Sequence, residues 1–295
     1  MAAPFDDRDG HIWMNGKLVP WRSAQTHVLT HALHYGSSVF EGIRVYGGQA
    51  FKLREHNQRL AKSAQWLGFE LPYTVEQIDA ACREVVRAQN ITDGYLRPVA
   101  WRGPETMGVS TAGSKIHVAV AAWEWPSYFS PEARAKGIRM MISPWRRPAP
   151  DTAPVHAKAS GLYMICTIAK NQAETEGYHD ALMHDYRGFL AEGTGANLFL
   201  VMDGKLHTPT PDCFLNGITR LTVMDLARAR GIEVIERHIK PEELKSAQEV
   251  FLTGTAAEIT PVGEIAELRF TPGRMTELLA NDYTAATRAS RVAAE

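Results

Sequence analysis

The sequence predicts an α+β protein of two domains, and three observations carry that expectation. Its 295 residues are 45% hydrophobic, enough for one large or two medium cores. Strand-like runs cluster around tight-turn dipeptides, with helical runs set between groups of them. A polar stretch holding Pro126 and Pro131 divides the chain. Residues 1–125 are therefore expected as a smaller α/β N-terminal domain and 126–136 as a linker. Residues 137–295 are expected as a larger C-terminal domain, a strand-rich core flanked by helices.

Each element has a local reason. Residues 11–21 alternate about Asn15-Gly16, the strongest short hairpin signal. A second hairpin spans 38–53 about Gly47-Gly48. Residues 54–67 read as a helix with Leu60, Ala64 and Leu67 on one face. Another helix starts at Thr74, where Thr74-Val-Glu-Gln77 makes a capping box, and stops near Asn90. Strands are expected over 95–101 and 115–123. After the linker come a strand over 137–143 and a helix over 159–176. Strands follow at 180–185, 189–192 and 197–202, the last turning at Asp203-Gly204. Residues 218–230 are amphipathic and end before Gly231. Strands over 233–237 and 249–252 and a helix opened by Pro272 complete the chain, which has no internal repeat.

Composition narrows the function. A formal net charge of −1 implies no basic face for nucleic acid. Cys82, Cys166 and Cys213 offer neither metal-ligand spacing nor a disulfide framework, so no metal is expected and a reducing compartment suits them. The first ten residues are acidic and lack the apolar core of a signal peptide. No run approaches the roughly 18 apolar residues of a membrane helix. A soluble cytoplasmic protein without a membrane partner is expected.

Several segments carry chemistry. Lys158 lies among small and apolar residues, where an amine's charged form is disfavoured and it can act as a nucleophile. Glu192-Gly-Thr-Gly-Ala-Asn197 sets one carboxylate before a glycine-rich bend and an apolar strand. It lacks the third glycine and the following helix of a dinucleotide fingerprint. Tyr35, Phe40 and Arg44 place aromatic and cationic groups near a loop mouth. Arg59 is one turn beyond Glu55, so a surface ion pair competes with a phosphate grip. Tyr95 and Arg97 share one face of a strand and suit a carboxylate or open water. Asn216-Gly-Ile-Thr-Arg220 opens a helix whose free N–H groups favour an anion, although simple capping is commoner. Leu252-Thr-Gly-Thr-Ala-Ala257 ends a strand in small residues that allow close backbone approach.

Taken together, these segments resemble the branched-chain aminotransferases among the class IV, fold-type IV pyridoxal-phosphate enzymes. The match rests on Tyr35-Gly-Ser-Ser-Val-Phe-Glu-Gly-Ile-Arg44, Arg54-Glu-His-x-x-Arg59, Tyr95-Leu-Arg-Pro98 and Ala157-Lys-Ala159. It continues through Glu192-Gly-x-Gly-x-Asn-Leu-Phe199, Gly217-Ile-Thr-Arg220 and Gly254-Thr-Ala-Ala-Glu-Ile-Thr-Pro261, in order and over nearly the whole chain. One departure is Ala159-Ser160-Gly161-Leu162, where close relatives often have Ala-Gly-Gly-Asn.

The resemblance implies reversible ping-pong transfer of an amino group between leucine, isoleucine or valine and 2-oxoglutarate. Lys158 would hold pyridoxal 5′-phosphate as a Schiff base and move the substrate's proton. Glu192 would meet the pyridine nitrogen, and Tyr163 the phenolic oxygen. Arg59, Ile218, Thr219 and Thr255 would hold the phosphate. Tyr95 and the backbone at Thr255-Ala256 would bind the α-carboxylate, and Arg97 a distal carboxylate. Phe40, Trp125, Tyr128 and Val109 would form the apolar pocket. Residues matching Tyr35 and Val109 can reach a neighbouring subunit's site in this family, which implies a homo-oligomer, at least a dimer. D-amino-acid aminotransferases, (R)-amine transaminases and aminodeoxychorismate lyases share the fold and the lysine. Phe40-Glu-Gly-Ile-Arg44 with Tyr95-Leu-Arg-Pro98 favours the branched-chain reading.

Overall fold

A computed structural model describes residues 4–125 and 135–292. The chain forms two compact units. One takes in Met1–Pro126, Ala157–Gly161 and Ser290–Glu295, the other Ser127–His156 and Leu162–Ala289. The short segment bearing Lys158 thus packs with the first unit.

The first unit is built on an antiparallel sheet. Its strands are β1 (His11–Met14), β2 (Lys17–Pro20), β3 (Ser38–Phe40), β4 (Ile43–Tyr46), β5 (Gln49–Ala50), β6 (Gly94–Arg102) and β7 (Ile116–Glu124). They lie in the order β2-β1-β7-β6-β4-β5, with β3 beside β6. The expected second hairpin is therefore split. β4 and β5 close around Gly47-Gly48, while β3 leaves to pair with the far half of β6. Both turns have positive φ at each central residue, Asn15 49° and Gly16 97°, then Gly47 56° and Gly48 79°. That twist matches the flanking strands.

A short helix, α1 (His31–Tyr35), precedes β3 and has no periodic signal in five residues. Helix α2 (Leu53–Trp66) buries Leu53, Leu60 and Ala64, and α3 (Val75–Ala88) buries Ile78, Cys82 and Val85. The capping box forms as expected: Gln77 N–H donates to Thr74 Oγ1, and Thr74 N–H to Gln77 Oε1. Fully buried Val39, Ile43, Leu96, Val118 and Val120 each contribute about 1.5–3 kcal/mol. They make the sheet a rigid base for the polar groups at its rim.

The second unit is a nine-stranded sheet. It comprises β8 (Ile138–Arg147), β9 (Asp180–Asp185), β10 (Leu190–Glu192), β11 (Asn197–Met202), β12 (Lys205–Pro209), β13 (Val234–Arg237), β14 (Glu249–Gly254), β15 (Glu258–Ile265) and β16 (Leu268–Arg269). The order is β10-β9-β8-β15-β14-β11-β12-β13, and β10 also pairs with β11. Six strands therefore close on themselves, leaving no free edge among them. Met140, Leu182, Leu198, Leu200, Leu252 and Val262 belong to the core of this sheet. The expected helix over 159–176 divides into a 3-10 turn, Ser160–Tyr163, and α4 (Met164–Thr175). Helices α5 (Ile218–Ala229) and α6 (Arg274–Val292) follow. No helix among the described residues is long and apolar enough to cross a membrane.

Candidate active site

The first unit assembles its site residues around Phe40. Lys158 Nζ lies 5.0 Å from the Phe40 ring centroid, and Arg97 Cζ lies 4.9 Å from it. Arg97 also stands 5.5 Å from the Tyr95 ring centroid, as the strand alternation requires. The Trp125 ring is 5.2 Å from Tyr95, and the Arg44 guanidinium donates to the Trp125 carbonyl at 3.0 Å. Tyr95 is buried, so the view of this strand face as open to water does not hold. Its approach needs Gly42, because a Cβ there would lie 1.8 Å from the Tyr95 hydroxyl.

Backbone contacts fix Lys158. Its N–H donates to Ser63 Oγ at 3.0 Å, and its carbonyl accepts from Phe40 N–H at 3.1 Å. Ala159 bridges to Val39, and Ser38 Oγ donates to Ser160 Oγ. The fold therefore grips the main chain of Lys158 from two sides.

Arg59 corrects the surface reading. Its guanidinium bonds both oxygens of Glu41, at 2.6 and 2.8 Å, while Glu55 pairs with Lys52. Glu41 is wholly buried and also accepts from His56 Nδ1 at 2.7 Å. Burial alone would push the Glu41 carboxyl up, but Arg59 and then His56 hold it well below the usual carboxylate range. Burial pushes His56 down, and the nearby Arg59 and Lys158 charges add to this against the pull of Glu41. The neutral imidazole must then present its Nδ1–H to the carboxylate, and the counter-charge to Glu41 is Arg59. Sequence reasoning assigned no role to Glu41 or His56. The only signal was an acid inside an otherwise apolar strand region.

Tyr35 and Val109 are exposed, at 43% and 83%. His31 connects their segments, with its ring 4.6 Å from Tyr35 and its Nε2 3.0 Å from the Gly108 carbonyl. Beside them a cavity of about 590 Å³ is lined in part by Leu33, Ser38, Arg97, Trp101 and Ser160. Tyr128 lies outside the described residues.

The second unit gathers a separate set at one level of its sheet. Glu192 ends β10 directly opposite Asn197, which starts β11 and faces Thr253 of β14. The buried Glu192 carboxylate accepts from Asn197 Nδ2 at 2.9 Å, and Arg147 Nε stands 3.3 Å from its other oxygen. Arg147 Nη1 in turn bonds Cys166, whose thiol burial pushes up to about 11. The bends 193–196 and 254–257 border a small cavity of about 120 Å³ lined by Gly195, Ala196, Ala256 and Ala257. Thr255 and Ala256 are half-buried there. Tyr163 is half-buried at the N-cap of α4.

Gly217 caps α5 without any side-chain hydrogen bond, so no cap side chain occupies the first-turn N–H groups. Ile218 and Thr219 open that turn, and Thr219 is buried. Fully buried Arg220 anchors the turn through Thr208 Oγ1, the Pro209 carbonyl and Asn216 Oδ1. Elsewhere in this unit, Asp185, Asp212 and Cys213 come close together. Arg187 bonds both carboxylates, so a guanidinium supplies the positive charge of that cluster.

Residues 38–265 match the family model for class IV amino-transferases. The branched-chain-amino-acid aminotransferase of Pseudomonas aeruginosa is 42% identical over 284 residues, covering 94% of this chain and 92% of that protein. The crystal structure of the Escherichia coli branched-chain amino acid aminotransferase superposes with a TM-score of 0.91 at 41% identity, over 94% of each chain. The enzyme of Thermobaculum terrenum, in its holo form with pyridoxal phosphate, gives 0.85 at 31% identity over 95% and 94%. With a lysine on an aromatic wall, a buried glutamate and an uncapped helix start already in place, the chain belongs to the class IV aminotransferases, among the branched-chain-amino-acid aminotransferases.

Proposed function

We propose that the chain transfers amino groups between branched-chain L-amino acids and 2-oxoglutarate, with pyridoxal 5′-phosphate as cofactor. The observation that carries this reading is the Phe40 cluster. A lysine amine and an anion-binding guanidinium flank one aromatic ring, so one surface can meet both a greasy and an acidic side chain. Buried Arg97 Nε has no acceptor among the described residues, which fits a carboxylate arriving with the substrate.

The donor set fits the cofactor. Its phosphate suits a helix start free of a capping side chain, and its ring nitrogen suits the buried Glu192 carboxylate. Bound there, it supplies the electron sink. Lys158 Nζ would hold the cofactor covalently and would carry the substrate's α-proton. Glu192 would keep the ring nitrogen protonated, and the Tyr163 phenol would bond the cofactor's phenolic oxygen. Arg59, the N–H groups of Ile218 and Thr219, and Thr255 would hold the phosphate. Tyr95 and the backbone of Thr255-Ala256 take the α-carboxylate, and Arg97 takes the distal one. Phe40, Trp125, Tyr128, Val109 and Tyr35 shape the apolar pocket, with Arg44 steadying Trp125.

The division into residues 1–125, linker 126–136 and 137–295 belongs to the same reading, as does a cytoplasmic location. So does assembly into a homo-oligomer, at least a dimer. Exposed Val28, Leu33, Tyr35, Met107 and Val109 make an apolar surface suited to a second copy.

The test is the visible spectrum of cofactor-loaded protein given L-leucine without an acceptor. The band is expected to convert to that of the pyridoxamine form, and D-alanine or an (R)-amine is expected to leave it unchanged. A band indifferent to L-leucine overturns the substrate class. A second expectation concerns Arg97→Ala, which should lower kcat/KM for 2-oxoglutarate about 100-fold and for leucine less than about fivefold. Equal losses would remove Arg97 from the distal carboxylate.

A further inference from the structure

Asn197 joins the two ends of the second unit's site. Its Nδ2 donates to Glu192 Oε2 at 2.9 Å and to the Leu215 carbonyl at 3.0 Å. Its Oδ1 accepts from Gly217 N–H at 3.1 Å. Both N–H donors and one oxygen lone pair of the amide are used, and two acceptors against one donor leave a single orientation. The residue is only 5% exposed, and its backbone pairs with Glu192 on one side and Thr253 on the other. One rigid amide thus ties the carboxylate to the lead-in and N-cap of α5.

Gly217 has φ −68° and ψ 140°, a conformation open to any L-residue. Its lack of a side chain is explained by Asn197 instead. A Cβ at position 217 would lie 2.2 Å from Asn197 Oδ1, while its next neighbours stand at 3.4 and 3.5 Å. Asn197 is held by three bonds and cannot yield cheaply.

We propose that Asn197 is a positioning residue that sets the span between the Glu192 carboxylate and the α5 N-terminus, with Gly217 as the notch that admits it. Resting on the function proposed above, this makes the pair a fixed caliper for the cofactor, with its ring nitrogen at one jaw and its phosphate at the other. Neither residue touches the reacting atoms. Their effect passes through Glu192 and the first-turn N–H groups, whose separation must match a rigid ligand.

The experiment is a double-mutant cycle on cofactor affinity. Wild-type, Asn197→Ala, Gly217→Ala and the double variant are stripped of cofactor and titrated with pyridoxal phosphate by visible absorbance. Each single variant is expected to bind about 10- to 100-fold more weakly, the range for losing a hydrogen bond to a charged group. In the Asn197→Ala background, Gly217→Ala is expected to add less than about threefold, because its Cβ then meets no nearer atom than 3.5 Å. The acid limb of cofactor retention should also move to higher pH in Asn197→Ala, since Glu192 loses a donor that favours its charged form. Leu200→Ala, which opens a cavity in the core of the same unit, should lower Tm and leave that limb in place. Apo-protein melting curves report folding. Should Asn197→Ala fail to fold, the near-isosteric Asn197→Asp takes its place, with the same loss of affinity expected. Single variants within twofold of wild type, or fully multiplicative losses, overturn the caliper. A wild-type protein that binds no pyridoxal phosphate overturns the function on which it rests.

Discussion

Lys158→Ala is expected to abolish transamination of L-leucine, by at least about 10⁴-fold, with Tm within a few degrees of wild type. The first half follows from the two tasks placed on one amine, covalent attachment and proton transfer; the second task alone commonly contributes 10²–10⁴-fold. The second half follows from how the residue is held. The main chain at 158 bonds Ser63 Oγ and Phe40 N–H, and none of these contacts involves the side chain. Nor is the side chain fully buried, so truncation opens no deep cavity. Steady-state assays and a thermal melt on one preparation check both halves. Turnover within tenfold of wild type would remove Lys158 from the mechanism, and a large fall in Tm would make lost activity uninformative.

Much of the fold was legible because its signals are local. Asn15-Gly16, Gly47-Gly48 and Asp203-Gly204 all make hairpin turns with both central residues at positive φ, which few other dipeptides allow. The capping box at Thr74 is likewise complete within four residues. Elements whose stability comes from distant partners were missed. β15 holds Pro261 and polar side chains, which argue against a strand, yet it lies between β14 and β8 in the ring. β12 reads as polar through Lys205 and His207 but is covered by β11 and β13.

The site divides the same way. Lys158, Glu192 and the α5 start stood out by residue type beside glycine or small residues. Glu41, His56 and Asn197 did not, because their meaning lies in partners that only the folded chain brings near. Helical spacing pointed Arg59 toward Glu55, whereas the wholly buried Glu41 offered a drier and therefore stronger partner.

Glu41→Gln is expected to destabilise the protein by roughly 3 kcal/mol, at the lower end for breaking a buried ion pair, because the Arg59 charge loses its bidentate carboxylate. For a chain of this size that lowers Tm by roughly 5 °C. The pH dependence has a definite sign. Glu41's folded value lies below its unfolded one, so its stabilisation is complete above about 4.3 and is lost as pH falls toward the folded value. His56 is also depressed, so its contribution is complete above about 6.5 and declines on acidification below that. Wild-type Tm should therefore drop between pH 7 and 5 through His56, and again below about 4.3 through Glu41; the second step should shrink in Glu41→Gln. A structural ion pair alone would stop there. If Glu41 also aims Arg59 at a phosphate, the variant should bind pyridoxal phosphate about tenfold more weakly while binding unphosphorylated pyridoxal as wild type does. Equal weakening of both ligands would mean that Arg59 serves the fold and not the phosphate.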